Sequence, residues 1–233
     1  MSIGIMQPYF LPYIGYWQLL DVVDKFVIFD DVQFKKRGWI NRNYILINSE
    51  KFLITIPIKK HRQKTKICDI KLAKDNRYKT KLLRSIKNSY SKAPFFEKVF
   101  PLIRKIIEND DGNLLSYIDF SIKLISQYLG IDSSKIITSS SLKISKNLKG
   151  EERIISICKK LKANSYYNSI GGLDLYDKKK FRTDGIKLNF LRPNMVRYKQ
   201  YENSFVSNLS IIDVIMFNSI PGVRNMLNDY QLV

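Results

Sequence analysis

Two short apolar runs, separated by an amphipathic segment, open the chain. Residues 3–6 and residues 25–30 are almost wholly apolar, and each run ends in polar or turn residues. Runs of this kind are typical of buried strands. Residues 15–23 between them carry large apolar side chains at helical spacing, which predicts a helix. A strand, helix and strand of this combined length predict the first unit of a parallel sheet.

Polar side chains follow both predicted strands. Gln7 comes after the first strand, and Asp30 and Asp31 end the second. Because the carboxyl ends of parallel strands meet at one edge of a sheet, we expect these three residues to lie side by side. A pair of carboxylates at such an edge indicates a general base, and a solvated turn or helix cap is the alternative interpretation.

A hairpin and three helices are predicted for the middle of the chain. Residues 39–47 and 52–58 have the composition of two strands joined by a turn, and 67–72 predicts a further strand. From residue 76 the apolar period becomes helical, with a basic outer face. Further helices are predicted from Pro94 through Ile107 and from Leu114 to Leu129. Three consecutive helices indicate a helical insertion over approximately residues 75–130.

Strand and helix patterns alternate again in the last hundred residues. Strands are predicted at 136–138, 165–169 and 187–190, and helices at 151–161, from Ser210 through Phe217, and from Pro221. No repeat or linker divides the chain. The pattern therefore predicts one α/β domain over residues 1–233, a Rossmann-like parallel or mixed sheet flanked by helices.

Composition and charge narrow the class of protein. The 233 residues are 45% hydrophobic, and they contain 40 Lys and Arg against 21 Asp and Glu, a net charge of +19. No apolar stretch approaches the roughly 20 residues that span a bilayer, and no secretory leader is evident, so we expect a cytoplasmic protein. The basic excess is concentrated in Lys59–Lys87, a pattern that attracts RNA, nucleotide diphosphates or anionic membranes. Background composition rich in Lys is the alternative explanation.

Several kinds of catalytic site are excluded by the residues present. His61 is the only histidine, and there is no H-E-x-x-H, P-loop, nucleophile elbow or G-x-G-x-x-G motif. Cys68 and Cys158 have no neighbouring Cys or His at metal-ligand spacing. We therefore expect no metal and no cofactor.

The richest candidate chemistry lies in residues 7–17 and 30–43. Residues 7–17 combine two prolines, a glycine and five aromatic residues, a rigid turn suited to stacking on a sugar or base. Its P-Y-x-G-Y segment resembles the layout of nucleotidylyltransferases, with Tyr13 and Tyr16 at the positions of their two phosphate-binding histidines. Residues 30–43 combine carboxylates, amides, cations and Trp39.

Longer motifs in these segments resemble the WbqC-like family. They are M-Q-P-Y-F-x-P-Y-x-G-Y-W, D-K-F-V-I-F-D-D-V-Q-F, G-W-I-N-R-N at 38–43 and L-S-I-I-D-V-I-M-F-N at 209–218. A-P-F-F at 93–96 and S-I-G-G-L-D-L-Y at 169–176 extend the similarity over essentially the whole chain. The family is met in gene clusters for O-antigen, the lipopolysaccharide surface chain, and other surface polysaccharides. Members are proposed to transfer glycine or another amino acid onto an amino sugar.

The resemblance implies an aminoacyltransferase that forms an amide on a nucleotide-linked amino sugar. The activated donor would be an aminoacyl-tRNA or a carrier-protein thioester, with RNA contact through Lys59–Lys87. The catalytic candidates are Asp30, Asp31, Lys36 and Asn43. The substrate-binding candidates are Gln7, Tyr9, Tyr13, Tyr16, Gln33, Trp39, Asn41, Arg42, Asp213 and Asn218.

These candidates have alternative roles. Asp213 follows Ser210 at a predicted helix start, and an ordinary helix-start pair is the alternative to ligand binding. Two other functions remain open for the chain: a tRNA-binding module without catalysis, and a sugar-nucleotide transferase with a nucleotidylyltransferase-like pocket.

Overall fold

The computed structural model describes residues 1–145, 147–201 and 204–233. Its strands are β1 Ser2–Met6, β2 Lys25–Ile28, β3 Arg42–Ile47, β4 Glu50–Thr55, β5 Ile136–Thr138, β6 Ser165–Ser169, β7 Lys187–Pro193 and β8 Tyr230–Leu232. Its α-helices are α1 Ile14–Val22, α2 Asn76–Tyr90, α3 Phe96–Glu108, α4 Leu114–Tyr128, α5 Gly150–Lys160, α6 Lys178–Thr183, α7 Ile211–Phe217 and α8 Ile220–Leu227.

A mixed, mostly parallel sheet of six strands forms the centre of the fold, in the order β5-β2-β1-β6-β7-β8. β1 pairs in parallel with β2, with Ile3 opposite Lys25 and Met6 opposite Ile28, and α1 makes the crossover between them. Only β8 runs antiparallel to its neighbour, β7. The predicted α/β class and the parallel β1–α1–β2 unit are confirmed.

The direction in which strands are added to the sheet reverses at β1. The chain passes from β1 to β2 and β5 on one side, and then to β6 and β7 on the other. In open parallel sheets of this kind, ligands bind outside the carboxyl ends of the strands near such a reversal. The fold therefore predicts a ligand site among the residues that follow β1, β2, β5 and β6.

The predicted hairpin forms a separate two-stranded sheet of β3 and β4. Asn48 and Ser49 connect the strands, with φ of 51° and 64° respectively. Left-handed conformations at both positions of a two-residue connection match the right-handed twist of the flanking strands. The hairpin shares a core with α1, α7 and the three helices α2, α3 and α4.

One predicted strand is wrong. Residues 67–72 begin with a 3-10 helix, Ile67–Asp69, and make only isolated bridges through Lys71 and Leu72. The amide of Cys68 donates to the carbonyl of Asp30, and the amide of Ile70 donates back to the carbonyl of Ile67. Because these amides bond the Asp30 carbonyl and the 3-10 turn itself, the segment cannot form a continuous ladder.

Several elements were not predicted from the sequence: a 3-10 helix at Ile170–Leu175, α6 and β8. Among the described residues, none of the helices has the length and apolar run needed to cross a bilayer.

Candidate functional site at the carboxyl edge of the sheet

Main-chain hydrogen bonds bring three strand ends together. The amide of Phe29 donates to the carbonyl of Met6 at 2.7 Å, and the amide of Ser139 donates to the carbonyl of Ile28 at 2.9 Å. Gln7, the residue after β1, therefore lies next to the end of β2 and at the same edge of the sheet as the end of β5. Its side chain is exposed at this edge.

Asp30, Asp31 and Ser139 form a hydrogen-bonded cluster at the same edge. The hydroxyl of Ser139 lies 3.0 Å from Oδ1 of Asp30 and 2.6 Å from Oδ1 of Asp31, and it accepts the amide of Asp30 at 3.2 Å. The amide of Ser140 also donates to Oδ1 of Asp30, at 3.0 Å. Oδ2 of Asp30 is buried and has no hydrogen-bond partner among the described residues.

Arg153 completes the cluster from α5. Its guanidinium bonds Oδ2 of Asp31 and lies 5.7 Å from the centre of the Phe29 ring. The side chains of Arg153 and Asp31 are 7% and 13% exposed, whereas Asp30 is fully buried. Asp31 is therefore the carboxylate that reaches solvent. Asp30, also a candidate general base, is completely buried and is bonded to Ser139.

The turn after β1 has a strained and well-braced backbone. Leu11 is fully buried and has φ of 44°, a left-handed conformation that is uncommon for a side chain of this size. The amide group of Asn43 donates to the carbonyls of Phe10 and Leu11 at 3.3 and 2.5 Å, and the hydroxyl of Ser210 donates to the carbonyl of Leu11 at 2.8 Å. Residues distant in sequence thus brace one turn.

This bracing bears on Asn43, which was a catalytic candidate. Its carbonyl oxygen accepts the amide of Tyr44 at 2.8 Å, so the oxygen and nitrogen of its side-chain amide both bond main chain. Asn43 is 2% exposed. It is therefore a structural residue of the turn.

Tyr9 and Trp39 present an aromatic surface near Gln7. Their ring centres are 6.3 Å apart and their planes differ by 22°, and Trp39 is 47% exposed. The ring of Tyr13 lies 6.5 Å from that of Tyr9. Burial raises the pKa of Tyr9 and of Tyr13, so both hydroxyls stay protonated and the surface is uncharged. A neutral, half-exposed aromatic pair suits stacking on a planar ring.

Gly15 makes room for Tyr13. A Cβ at position 15 would lie 2.6 Å from the Tyr13 ring and 2.9 Å from the side chain of Pro193. Tyr16, by contrast, is 1% exposed and packs edge-on against Phe26. Although the sequence placed Tyr16 with the ligand-binding residues, burial makes it part of the core.

Three amide candidates are bonded to main chain. The amide of Asn41 donates to the carbonyl of Ile56, that of Asn218 to Val214 and that of Gln33 to Gln63, each at 2.8 Å. These bonds hold the hairpin base, the end of α7 and a loop. Lys36 is exposed, and Arg42 is partly buried with its Nε lacking a partner among the described residues.

Asp213 is the centre of a second polar cluster. It accepts hydrogen bonds from the hydroxyls of Tyr90 and Tyr198 at 3.0 and 2.6 Å and from the amide of Gln200 at 2.8 Å. Burial raises the pKa of its carboxyl despite these donors. Ser210 caps the helix start beside it, where its hydroxyl accepts a hydrogen bond from the amide of Ile212. Asp213 thus ties α7 to α2 and to the segment after β7.

Two cavities differ in their relation to this edge. One of about 430 Å³ includes Thr138, the last residue of β5, and side chains of α4 such as Asp119 and Lys123. Another, of about 700 Å³, lies at the opposite edge, by Asn164 and Lys187 at the amino ends of β6 and β7. The first reaches the end of β5, the strand next to β2, whereas the second lies away from the carboxyl edge.

Ser139 and Arg153 were missed by sequence reasoning. The available signal for Arg153 was a cation at an apolar position of α5, next to Ile154 and Ile155. Ser139 stands in a run of three serines, where the sequence does not distinguish the buried one.

Comparison with known proteins places the chain in a family. A family model described as WbqC-like matches residues 7–225. An uncharacterized protein of Mycobacterium tuberculosis (strain ATCC 25618 / H37Rv), Rv1507c, is 28% identical over 220 residues, which is 93% of each chain. No solved structure matches the chain. Because the family model covers the carboxyl-edge residues, the hairpin and α7, the protein belongs to the WbqC-like family.

Proposed function

We propose that the protein is an aminoacyltransferase that attaches an aminoacyl group, glycyl in the simplest case, to the amino group of a nucleotide-linked amino sugar. The product would serve the synthesis of a bacterial surface polysaccharide such as O-antigen. The observation that carries this proposal is the position of Asp31, a partly exposed carboxylate that follows β2 at the carboxyl edge of a parallel sheet, the edge at which β1 ends in Gln7.

Asp31 has the chemistry that an amine acceptor needs. A carboxylate orients the neutral amine of the sugar and accepts the proton that the nitrogen loses as it attacks the activated carbonyl. The C–N bond forms, one N–H proton passes to the carboxylate of Asp31, and the bond from the carbonyl carbon to its leaving group breaks. The departing oxygen or sulfur then takes up that proton, which restores the carboxylate. Ser139 and Arg153 fix the carboxylate in place, which keeps the geometry of attack constant.

The remaining roles follow from exposure and charge. Tyr9 and Trp39 would stack on the base or sugar of the acceptor. Arg42 would bind the diphosphate, and the exposed amide of Gln7 would face the oxyanion of the tetrahedral intermediate. Asp30 would act through Ser139 rather than on the substrate.

The test is a transfer assay read by mass spectrometry. The purified protein is incubated with UDP- and dTDP-linked amino sugars and a panel of aminoacyl donors. The mass of the sugar nucleotide is then measured to detect an added aminoacyl group. Asp31→Asn should lower the rate by about 10²- to 10⁴-fold, the usual contribution of a general base. Asp174→Asn, at an exposed position of the 3-10 helix after β6, is the matched control. Absence of a mass increment with every donor would contradict the proposal.

A further inference from the structure

A band of cations borders the carboxyl edge. It is drawn from residues 35–37 and 59–74, and we call it the basic rim. It consists of Lys35, Lys36, Arg37, Lys59, Lys60, Arg62, Lys64, Lys66, Lys71 and Lys74. These two stretches contain a single acid, Asp69, which leaves 30 of the 40 cations and 20 of the 21 acids for the rest of the chain. These two stretches therefore carry +9 of the net charge of +19.

Main-chain bonds join the parts of the basic rim. The amide of Phe34 donates to the carbonyl of Thr65, and Gln33 forms an antiparallel bridge with Lys66, so residues 35–37 lie beside the loop at 62–66. At the other end of that loop, the amide of Lys59 donates to the carbonyl of Lys71 at 2.9 Å. Because Asp30 also accepts the amide of Cys68, the rim begins at the strand end that carries the carboxylates.

The charges of the basic rim are available to a ligand. Nine of its ten residues are exposed, and Lys66 is the partly buried exception. Within the described ranges, none of the six salt bridges involves a residue of the rim. A band of unneutralised cations of this kind favours a polyanion.

We propose that the basic rim binds the phosphate backbone of RNA and that the aminoacyl donor of this protein is an aminoacyl-tRNA. The choice of donor rests on the proposed function, whereas the RNA contact does not. Lys outnumbers Arg in the rim, which suits contact with phosphates rather than bidentate recognition of bases. Among the large apolar side chains that are exposed in the described residues, Trp39 alone is close to the rim in sequence, and a single ring is less than the row of apolar anchors that inserts into a membrane surface.

The test measures binding of unfractionated bacterial tRNA over a series of salt concentrations, without any sugar nucleotide. The rim variant carries Lys60→Glu, Arg62→Glu, Lys64→Glu and Lys71→Glu. The matched control carries Lys160→Glu, Lys162→Glu, Arg182→Glu and Lys187→Glu, four exposed cations toward the amino-terminal edge of the sheet, and it changes the net charge equally.

We expect the wild-type protein and the control to bind tRNA with affinity that falls steeply with salt. The rim variant should lose about tenfold or more in affinity at moderate salt, and its logarithmic salt slope should be shallower by about 3. Equal losses in both variants, no tRNA binding by the wild-type protein, or binding to phosphatidylglycerol vesicles or an acidic carrier protein in place of tRNA would overturn the inference.

This result is separable from the proposed function. If tRNA does not bind, transfer is still measurable with aminoacyl thioesters as donors. If tRNA binds through the rim and no donor supports transfer, the RNA contact stands and the aminoacyltransferase proposal fails.

Discussion

The side-chain amide of Asn43 donates to the carbonyl of Leu11 at 2.5 Å, which links β3 to the strained turn after β1. Both residues are buried, and Ser210 from the start of α7 donates to the same carbonyl. Three sequence blocks that are far apart in the chain thus meet at one backbone oxygen. The turn that carries Gln7 and Tyr9 is held in place by this contact.

Asn43→Ala should therefore destabilise the fold. It would leave the carbonyl of Phe10 without its side-chain donor and weaken the bracing of Leu11, at an expected cost of about 1–3 kcal/mol. Urea denaturation measures the free energy of unfolding. Asn88→Ala, at an exposed position of α2, should stay within about 0.5 kcal/mol of the wild-type value. Equal effects of the two substitutions would contradict this role for Asn43.

Gly15→Ala should disturb the aromatic turn. The new Cβ would meet the ring of Tyr13 and the side chain of Pro193 well inside contact distance, which predicts a loss of about 1–3 kcal/mol. Gly112→Ala is the matched control, because a Cβ at that position would have open space around it. Thermal or urea denaturation of the two variants measures the difference in their free energy of unfolding. A wild-type stability for Gly15→Ala would show that Tyr13 can move at no cost.

Trp39→Ala should weaken binding of the nucleotide-linked sugar and leave the fold intact. Loss of stacking on one ring is expected to raise the Kd by about tenfold. Phe52→Ala on β4 removes an aromatic ring that is equally exposed, at 47%, and it should leave the Kd unchanged. Calorimetric titration with a UDP-linked amino sugar measures both. If Phe52→Ala weakens binding as much as Trp39→Ala, the ligand does not stack at the turn.

Asp213 should make stability depend on pH. Since burial raises its pKa in the folded protein, the folded state keeps this proton over a pH range in which the unfolded chain has lost it. The resulting stabilisation is present at low pH and is lost as pH rises through the folded pKa. The free energy of unfolding of the wild-type protein should therefore fall relative to Asp213→Asn between about pH 4 and 7, by about 1.4 kcal/mol per unit of raised pKa. A constant difference across this range would contradict the raised pKa.

The sequence predicted strands and helices well where a helical period extended over many residues or where a run of residues was mainly apolar. β1, α1, β2 and the helices α2 to α4 follow directly from such patterns. Residues 67–72 were misassigned as a strand because their apolar pattern does not show where their amides bond. In the structure these amides bond the Asp30 carbonyl and a 3-10 turn rather than a neighbouring strand. The short elements α6 and β8 bury few side chains, so their sequences carry little periodic signal.

Positions at the carboxyl edge were predictable from topology, but individual roles were not. Gln7 and the two aspartates were expected to be neighbours because parallel strands end at one edge. Which aspartate reaches solvent depends on Ser139 and Arg153, more than 100 residues away in sequence. Burial likewise distinguishes Trp39, which is exposed, from Tyr16 and Asn43, which are buried, although all three stand in the motifs that resemble the family.

The central claim is that the nucleotide-linked amino sugar binds at the carboxyl ends of β1 and β2. A crystal structure of the protein with a bound UDP-linked amino sugar tests it most directly. The account predicts the sugar nitrogen within hydrogen-bond distance of the Asp31 carboxylate and a ring of the ligand against Trp39. Density for the ligand in the cavity of about 700 Å³ at the opposite edge, among Lys178, Arg182 and Lys187, would contradict it.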